Sequence, residues 1–555
     1  MIRKNIYNKL LGVLLCVSIL LGIAPAAAIW AEALSEEQKM IQGSFYYMNI
    51  HGQDEEQPYY YSDEYFSLPA SQNNLHLRSM SAAMVFAMTP KWSEKQPYQR
   101  VLKLVQELGF DQETIQMDET DTTSSDSIGT LIAQKKLGSD TLVLINIRSM
   151  FYIHEWESNF TVGTSGDHKG FSSAAQKVLN RVKSYLETHQ IRSAKFWMVG
   201  YSRGGAVANL AGKTITEQAG DYATSPENVF VYTFDAPAAS ADDTVYQNIH
   251  NVVNENDAIP YACPAGWGLY LNGSKELLKA EPETIMTRKL NLLSTGYLQD
   301  YRETKKNDFL KSFSQTLGEE IKREDFAPFS ESYLAPMVRI LLTMSDADRA
   351  QFVTYLQTVF SYMKADGTIL LAASVLTQPE NVSLRKQAVD AVCRVMDQTK
   401  KELPTGLTDE EYSLFRSAIQ PGLEAFLPLV LKEVVRTVGS DSVPFYYLVS
   451  FADNLGPLVE AHYSDRLFAL ITSEDSYYHP SLSKEVSEEG TEEISEVSGT
   501  QGSRSRSDVP SEQQQSPDNG SLIFWITIGA VLVFLCVVVI LLVCRKKKKA
   551  KQSQS

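Results

Sequence analysis

Phe196 to Ala208 reads FWMVGYSRGGAVA, and no other segment of the 555-residue chain constrains its fold as strongly. The apolar start, Phe196 to Val199, predicts a buried strand. It ends at Gly200-Tyr201-Ser202-Arg203-Gly204, a G-x-S-x-G pentapeptide. Gly205, Ala206 and Ala208 follow at once, small enough for a helix packed tightly on a sheet. A serine between such a strand and such a helix sits on a sharp elbow with its hydroxyl exposed. The pentapeptide also describes any glycine-rich turn, so the rest of the chain must supply what a nucleophilic serine needs.

The surrounding pattern alternates strand and helix. Thr141 to Ile147 predicts a buried strand and Phe171 to Thr188 an amphipathic helix. Lys195 to Val199 is the next strand and Gly204 to Gln218 the next helix. Asn228 to Phe234 and Asn251 to Val253 are further strands. Such alternation predicts a parallel sheet covered on both faces, with ligands at the carboxyl ends of its strands. Upstream, residues 34–75 are polar and tyrosine-rich with little periodicity. Leu77 to Met88 and Tyr98 to Leu108 predict helices, and Asp118 to Asp126 a polar loop.

From about Leu271 to Asn454 no strand is legible, whereas helix starts are. Ser345-Asp346-Ala347-Asp348 and Thr408-Asp409-Glu410-Glu411 both have the composition of an N-terminal cap, and Pro421 and Pro428 bracket a helix-like run. The expected organisation is a hydrolase core over 34–270 and a helical insertion, a cap or lid, over 271–454. Residues 455–480 return to the core. A Ser/Glu-rich stalk without aromatics follows over 481–519 and cannot bury enough apolar surface to fold.

Both ends carry membrane signals. Arg3, Lys4 and Lys9 precede an apolar run from Leu10 to Ile23 and an Ala26-Ala27-Ala28 cleavage site, so 1–28 reads as a secretory signal peptide. Leu522 to Cys544 is apolar and uncharged, long enough to span a hydrocarbon core at about 1.5 Å per residue. Arg545 and Lys546 to Lys549 follow, which places the tail 545–555 in the cytoplasm. The expectation is a single-pass protein with an extracellular ectodomain, on a bacterial cell surface. The net charge of −16 excludes nucleic acid as a partner. No protein partner is legible, and no Cys/His cluster has metal-ligand spacing. Outside the terminal segments only Cys263 and Cys393 remain, a pair whose bonding depends on geometry.

A serine hydroxyl needs a base, an acid to orient that base, and donors for the oxyanion. With an elbow serine the chain order is Ser, Asp or Glu, then His. Asp257, in NVVNENDAIP, lies just past the strand two beyond the elbow strand; Asp235, in TFDAP, ends the intervening strand and is the competitor. Of the eight histidines only His462 and His479 follow the insertion, and His250 precedes Asp257. His462 leads an apolar segment suited to rejoining the sheet, whereas His479 borders the stalk. One oxyanion donor would be the N–H of Arg203. The other would come from Arg148-Ser149-Met150, after the strand Thr141 to Ile147.

These segments together resemble class 3 lipases, an α/β-hydrolase family. LINIRSM at 144–150 resembles the family strand ending in Arg-Gly-Thr or Arg-Gly-Ser, and HKGF at 168–171 its His-x-Gly-Phe. MVGYSRGGAVANL at 198–210 resembles its elbow, VYTFDAP at 231–237 its Tyr-Thr-Phe-Gly-x-Pro, and VVNENDAIP at 252–260 its Asn-x-x-Asp-x-x-Pro. The likeness covers roughly residues 75 to 265 and a short return around His462. It implies an α/β-hydrolase fold with Ser202 as nucleophile, Asp257 as orienting acid and His462 as base. The backbones of Arg203 and Met150 would form the oxyanion hole. The implied substrate is a lipid or acyl ester, cleaved without metal or cofactor. Met150 stands where the family has Thr or Ser, Tyr201 replaces its His, and Arg203 its Leu. Arg203 is expected to face outward, the alternative being a cation beside an anionic substrate group. Rival readings are a binding or adhesion module on a degenerate hydrolase fold and a serine hydrolase of another bond, such as a carbohydrate ester or peptide.

Overall fold

Residues alternate faces along a β-strand, so a strand buried on both sides must be apolar at every position. The strands around the elbow meet that demand. In the computed structural model, Leu142 and Leu144 pack on one face of the sheet with Trp197, Val199, Phe230 and Tyr232. Val143 and Ile145 pack on the other with Phe196, Met198, Val229 and Val231. The structure describes residues 40–48, 54–89, 98–118, 124–278 with breaks at 150, 151, 153, 256 and 258, 314–438 with short breaks between 369 and 380, and 462–478. The expected signal peptide, stalk, membrane helix and cytoplasmic tail, together with Met150 and His479, lie outside the described residues. Among the described residues no helix is long and apolar enough to cross a membrane.

The chain opens with a hairpin of β1 (Ile41–Met48) and β2 (Asp54–Tyr61), followed by α1 (Leu75–Ala87) and α2 (Gln99–Glu107). The main sheet then runs β3 (Gln116–Asp118), β4 (Thr130–Leu137), β5 (Asp140–Ile147), β6 (Ala194–Tyr201), β7 (Val229–Phe234), β8 (Ile249–Asn254) and β9 (Ser274–Leu278). Its seven strands lie in sequence order. The pairs β3–β4 and β4–β5 are antiparallel, and every later pair is parallel. Between β5 and β6 the chain forms α3 (Glu155–Phe160) and α4 (Lys169–Thr188). α5 (Arg203–Glu217) connects β6 to β7. α4 and α5 share one face of the sheet, and the other carries α1 and the opening hairpin. This is an α/β-hydrolase fold.

Several parts of the chain differ from expectation, among them β3 and β4, strands that the sequence reading did not include. The tyrosine-rich segment before α1 is a paired hairpin. Phe45, Tyr47, Tyr59 and Tyr61 recur every second residue and are buried against α1. Each fully buried large side chain contributes about 1.5–3 kcal/mol, enough to hold a two-stranded ribbon that would be marginal alone. A strand also forms just beyond Leu271, where none was legible. β9 has the sequence SKELL and pairs with β8 as an edge, so only one of its residues is buried.

The helices that follow are α6 (Arg323–Phe329), α7 (Ala335–Thr343), α8 (Asp346–Ala365), α9 (Val382–Glu402) and α10 (Asp409–Val438). Ser345 caps α8 by accepting from the N–H of Asp348. Thr408 accepts from Glu411 N–H while the Glu411 carboxylate accepts from Thr408 N–H, a reciprocal capping box. α10 runs through both Pro421 and Pro428 rather than being bracketed by them. Phe352, Tyr355, Val392, Met396 and Phe415 form a core separate from that of the sheet.

α7 packs against α3, and the side chains of Arg339, Ser330 and Arg323 fasten the helices there. Arg339 pairs with Glu157 at 2.7 Å. Ser330 Oγ donates to Phe160 O at 2.7 Å. Arg323 donates to the carbonyls of Val162, Gly163, Gly166 and Asp167. The chain then reaches α11 (Ser464–Thr472), whose Leu467, Phe468, Leu470 and Ile471 join the core beneath the hairpin.

Cys263 and Cys393 are both free and buried, one beside Trp267 and the other in the helical core, so they do not form a disulfide. Burial pushes the Cys263 thiol up to about 12 and the Cys393 thiol up to about 11. Neither should react with iodoacetamide in the native protein, and both should react after denaturation, as peptide mapping will show. A second prediction concerns the elbow. A Cβ added at Gly204 would lie 2.6 Å from the carbonyl oxygens of Ile147 and Arg148, backbone atoms that cannot swing aside. Gly204→Ala is expected to cost about 1–3 kcal/mol, read from the urea midpoint.

Candidate active site

Ser202 stands between the last residue of β6 and the first of α5, with φ 56° and ψ −127°. An L-residue avoids this region, so surrounding contacts must hold it there. The Ser202 N–H donates to Phe234 O at 2.9 Å and its carbonyl accepts from Ala206 N–H at 3.1 Å. Gly200 and Gly204 face each other so closely that a Cβ on Gly200 would collide with Gly204 O. The pentapeptide glycines are thus required by the close approach of strand and helix. Gly204 also abuts the end of β5, so the N-terminus of α5 lies beside the segment Arg148-Ser149. Its first backbone N–H groups, that of Arg203 included, have no partner within the helix.

Asp257 follows β8 and is fully buried. One of its oxygens accepts from Ile259 N–H at 2.9 Å. The other accepts from His462 Nδ1. His462 Nε2 lies 2.8 Å from Ser202 Oγ. These partners set the tautomer: Nδ1 carries the hydrogen toward the carboxylate, and Nε2 accepts from the serine hydroxyl. The structure therefore brings Ser202, Asp257 and His462 into one hydrogen-bonded chain. Asp235, the competing acid, lies beside Asp257 and its side chain accepts from Asn254 N–H at 2.6 Å. One atom each of Asp235, Asp257 and His462 lie within 4.8 Å of one another, the spacing of a small metal site. Both ring nitrogens of His462, however, are already engaged.

His462 is 260 residues from Ser202, and two clamps return it. Tyr201 supplies the first: its hydroxyl donates to His462 O and its ring stacks on the imidazole, centroids 4.8 Å apart. α1 supplies the second, downstream of α11. Arg78 donates to Ile471 O at 3.0 Å and pairs with Glu474, and His76 meets the buried Asp475 at 2.7 Å. His250 is buried with Nε2 against Ala70 O, away from this chain of bonds.

Arg203 corrects an expectation. Its side chain is buried and donates to Ser158 Oγ of α3 at 3.0 and 3.2 Å, so it neither faces outward nor offers a cation to a substrate. Arg148, at the end of β5, pairs with the fully buried Glu155 of α3 through two nitrogens and donates to Tyr98 Oη. Glu155 also accepts from Tyr152 N–H and Ser127 Oγ. This bidentate pair ties the end of β5 to the first turn of α3. Reading the sequence did not single out Tyr201 as an anchor or Glu155 at all. Tyr201 was visible as a departure from the family elbow; Glu155 gave no signal.

The elbow, the parallel sheet and the Ser–His–Asp chain define an α/β-hydrolase with a half-buried, oriented imidazole. Residues 139–266 match a family described as Lipase (class 3). The core is class 3 lipase-like, the domain of a carboxylic ester hydrolase. Among solved structures, Rhizomucor miehei triacylglyceride lipase is 20% identical over 37% of this chain and 79% of its own, with a TM-score of 0.27. A lipase from Rhizopus microsporus var. chinensis is 20% identical over 38% and 77%, with a TM-score of 0.28. No curated protein matches the chain.

Removing the Tyr201 hydroxyl tests the first clamp. Tyr201→Phe keeps the stacked ring and loses one hydrogen bond, a net contribution of about 0.5–1.5 kcal/mol. We expect esterase kcat to fall by about 3- to 10-fold with the fold intact by circular dichroism.

Proposed function

We propose that the chain is a serine hydrolase that cleaves lipid or acyl esters through an acyl-enzyme. The observation that carries this reading is the continuous hydrogen-bonded chain from Asp257 through His462 to Ser202. In this reading Ser202 Oγ attacks the ester carbonyl as His462 Nε2 takes its proton. The imidazolium so formed is stabilised by Asp257 at Nδ1. Negative charge gathers on the former carbonyl oxygen, where the N–H groups of Arg203 and Met150 are assigned as donors. His462 then gives its proton to the leaving alcohol. Water, activated by the same nitrogen, releases the acid and restores Ser202.

The lipid or acyl character of the substrate is supported by the class 3 lipase match. On sequence grounds alone we also assign the chain to the outer face of a membrane, held by the segment 522–544. Loss of membrane association on deleting 520–555 would be the expected result in cell fractionation.

A fluorophosphonate probe tests the catalytic assignment. Wild type should be labelled at Ser202, and Ser202→Ala should not be. His462→Ala should slow labelling and ester turnover by at least about 10³-fold. Absence of labelling in wild type, under conditions that label other serine hydrolases, would overturn the reading. A p-nitrophenyl ester series from short to long acyl chains then reads the preferred substrate; turnover that rises with chain length is expected.

A further inference from the structure

Two buried carboxyls meet behind the imidazole. Asp235 follows β7 with φ 43°, a left-handed conformation that aspartate adopts more readily than most residues. It is fully buried, where a carboxylate is rare unless paired. Its Oδ1 accepts from Asn254 N–H. Its Oδ2 is buried and meets no donor among the described residues. Asp257, by contrast, has donors for both oxygens, from Ile259 N–H and His462 Nδ1.

The surrounding charges decide which carboxyl keeps a proton. Asp257 and His462 face Asp235 from the segments after β8 and before α11. Lys275 acts on it from β9 and favours the anion, but against burial and the Asp257 charge it is the minor influence. The Tyr201 and Tyr261 hydroxyls nearby are both raised by burial, Tyr261 to about 12, and stay neutral at physiological pH. Two carboxylates this close and this buried cannot both ionise without strong repulsion. Asp257 has the imidazole and two donors; Asp235 has one donor and an oxygen left over.

We propose that Asp235 is a positioning residue, a neutral carboxylic acid whose Oδ2–H donates to the Asp257 carboxylate and holds it ionised and aimed at His462. This rests on Asp257 acting through His462 as described above. Burial and the negative charge of Asp257 push the Asp235 carboxyl well above the ordinary carboxylate range. The folded chain then binds a proton that the unfolded chain releases. With more protons bound in the native state, stability falls as pH rises from the ordinary carboxylate range toward the raised one. When Asp235 ionises, its donor to Asp257 is lost and the two carboxylates repel, so Asp257 no longer holds the imidazole in line and kcat/KM falls on the alkaline side.

The test uses the full chain with Asp235→Asn and Asp235→Gly. Asparagine donates an N–H to Asp257 at every pH while its carbonyl still accepts from Asn254. Glycine relieves the backbone but removes the donor. As pH rises above the ordinary carboxylate range, wild-type thermal stability should decline relative to Asp235→Asn. Infrared difference spectra should show a protonated-carboxyl C=O band at neutral pH in wild type and lose it in Asp235→Asn. Asp235→Gly should lower kcat by about tenfold, and Asp235→Asn should restore most of that and lack the alkaline limb. Parallel stability profiles without the infrared band would overturn the proposal, because Asp235 would then be ionised. A kcat equal to wild type in Asp235→Gly would overturn the positioning role. Failure of the serine mechanism is read separately, by absent fluorophosphonate labelling at Ser202, while the stability and infrared arms still report on the proton.

Discussion

Close approach of three backbones at Gly200 and Gly204 is the constraint on which the site depends. Strand β6 can run into helix α5 without an intervening loop only because neither glycine carries a Cβ. That junction holds Ser202 at a positive φ, which the serine would not adopt in an open turn. The same contact presses α5 against the end of β5, and the Ser202 N–H bond to Phe234 O locks the end of β7 alongside. Three strand ends thus meet at one point. Arg148 leaves the end of β5 and Asp235 the end of β7, while Asp257 follows the neighbouring β8.

Charge is buried around that point, and each charge has its own answer to desolvation. Arg148 and Glu155 neutralise each other in a bidentate pair that also ties the end of β5 to α3. A buried pair of this kind seldom adds net stability, but removing one partner alone strands the other and is strongly destabilising. Among the described residues Arg203 has no carboxylate bonded to it and relies on Ser158 and the backbone carbonyl of Ser125. Asp257 is compensated by the imidazole it orients. The fold thus places ionised groups at the carboxyl edge of its sheet while keeping the remainder of the β5–β8 layer largely apolar.

How much of this was legible depends on whether the determinant was local. The elbow, the central strands and the two helix caps are written in contiguous residues, and their spacing dictates one conformation. β9 is not, because an edge strand of sequence SKELL buries too little to show a hydrophobic pattern. The opening hairpin did carry a period of two in Phe45 and Tyr47 and in Tyr59 and Tyr61, masked by the polar residues between them. Arg203 was misread because α5 is buried on nearly every side at its start, where helical periodicity has no exposed face to reveal. His462 could be narrowed by chain order alone. Its position depends on Tyr201 and on contacts between α1 and residues 471–475, which no spacing rule connects.

Arg323 spends its guanidinium on four carbonyl oxygens of residues 162–167 and on none of their side chains. Main-chain oxygens are the same whatever residue bears them. The joint between the helical unit and the hydrolase core therefore depends on the path of the loop, which Gly163 and Gly166 set at positive φ, and not on its other side chains. Substitutions away from those glycines leave the carbonyls in place, whereas adding or deleting a single residue would pull them out of reach. In descent, such a fastening lets the helices and the catalytic core diverge at different rates while remaining attached.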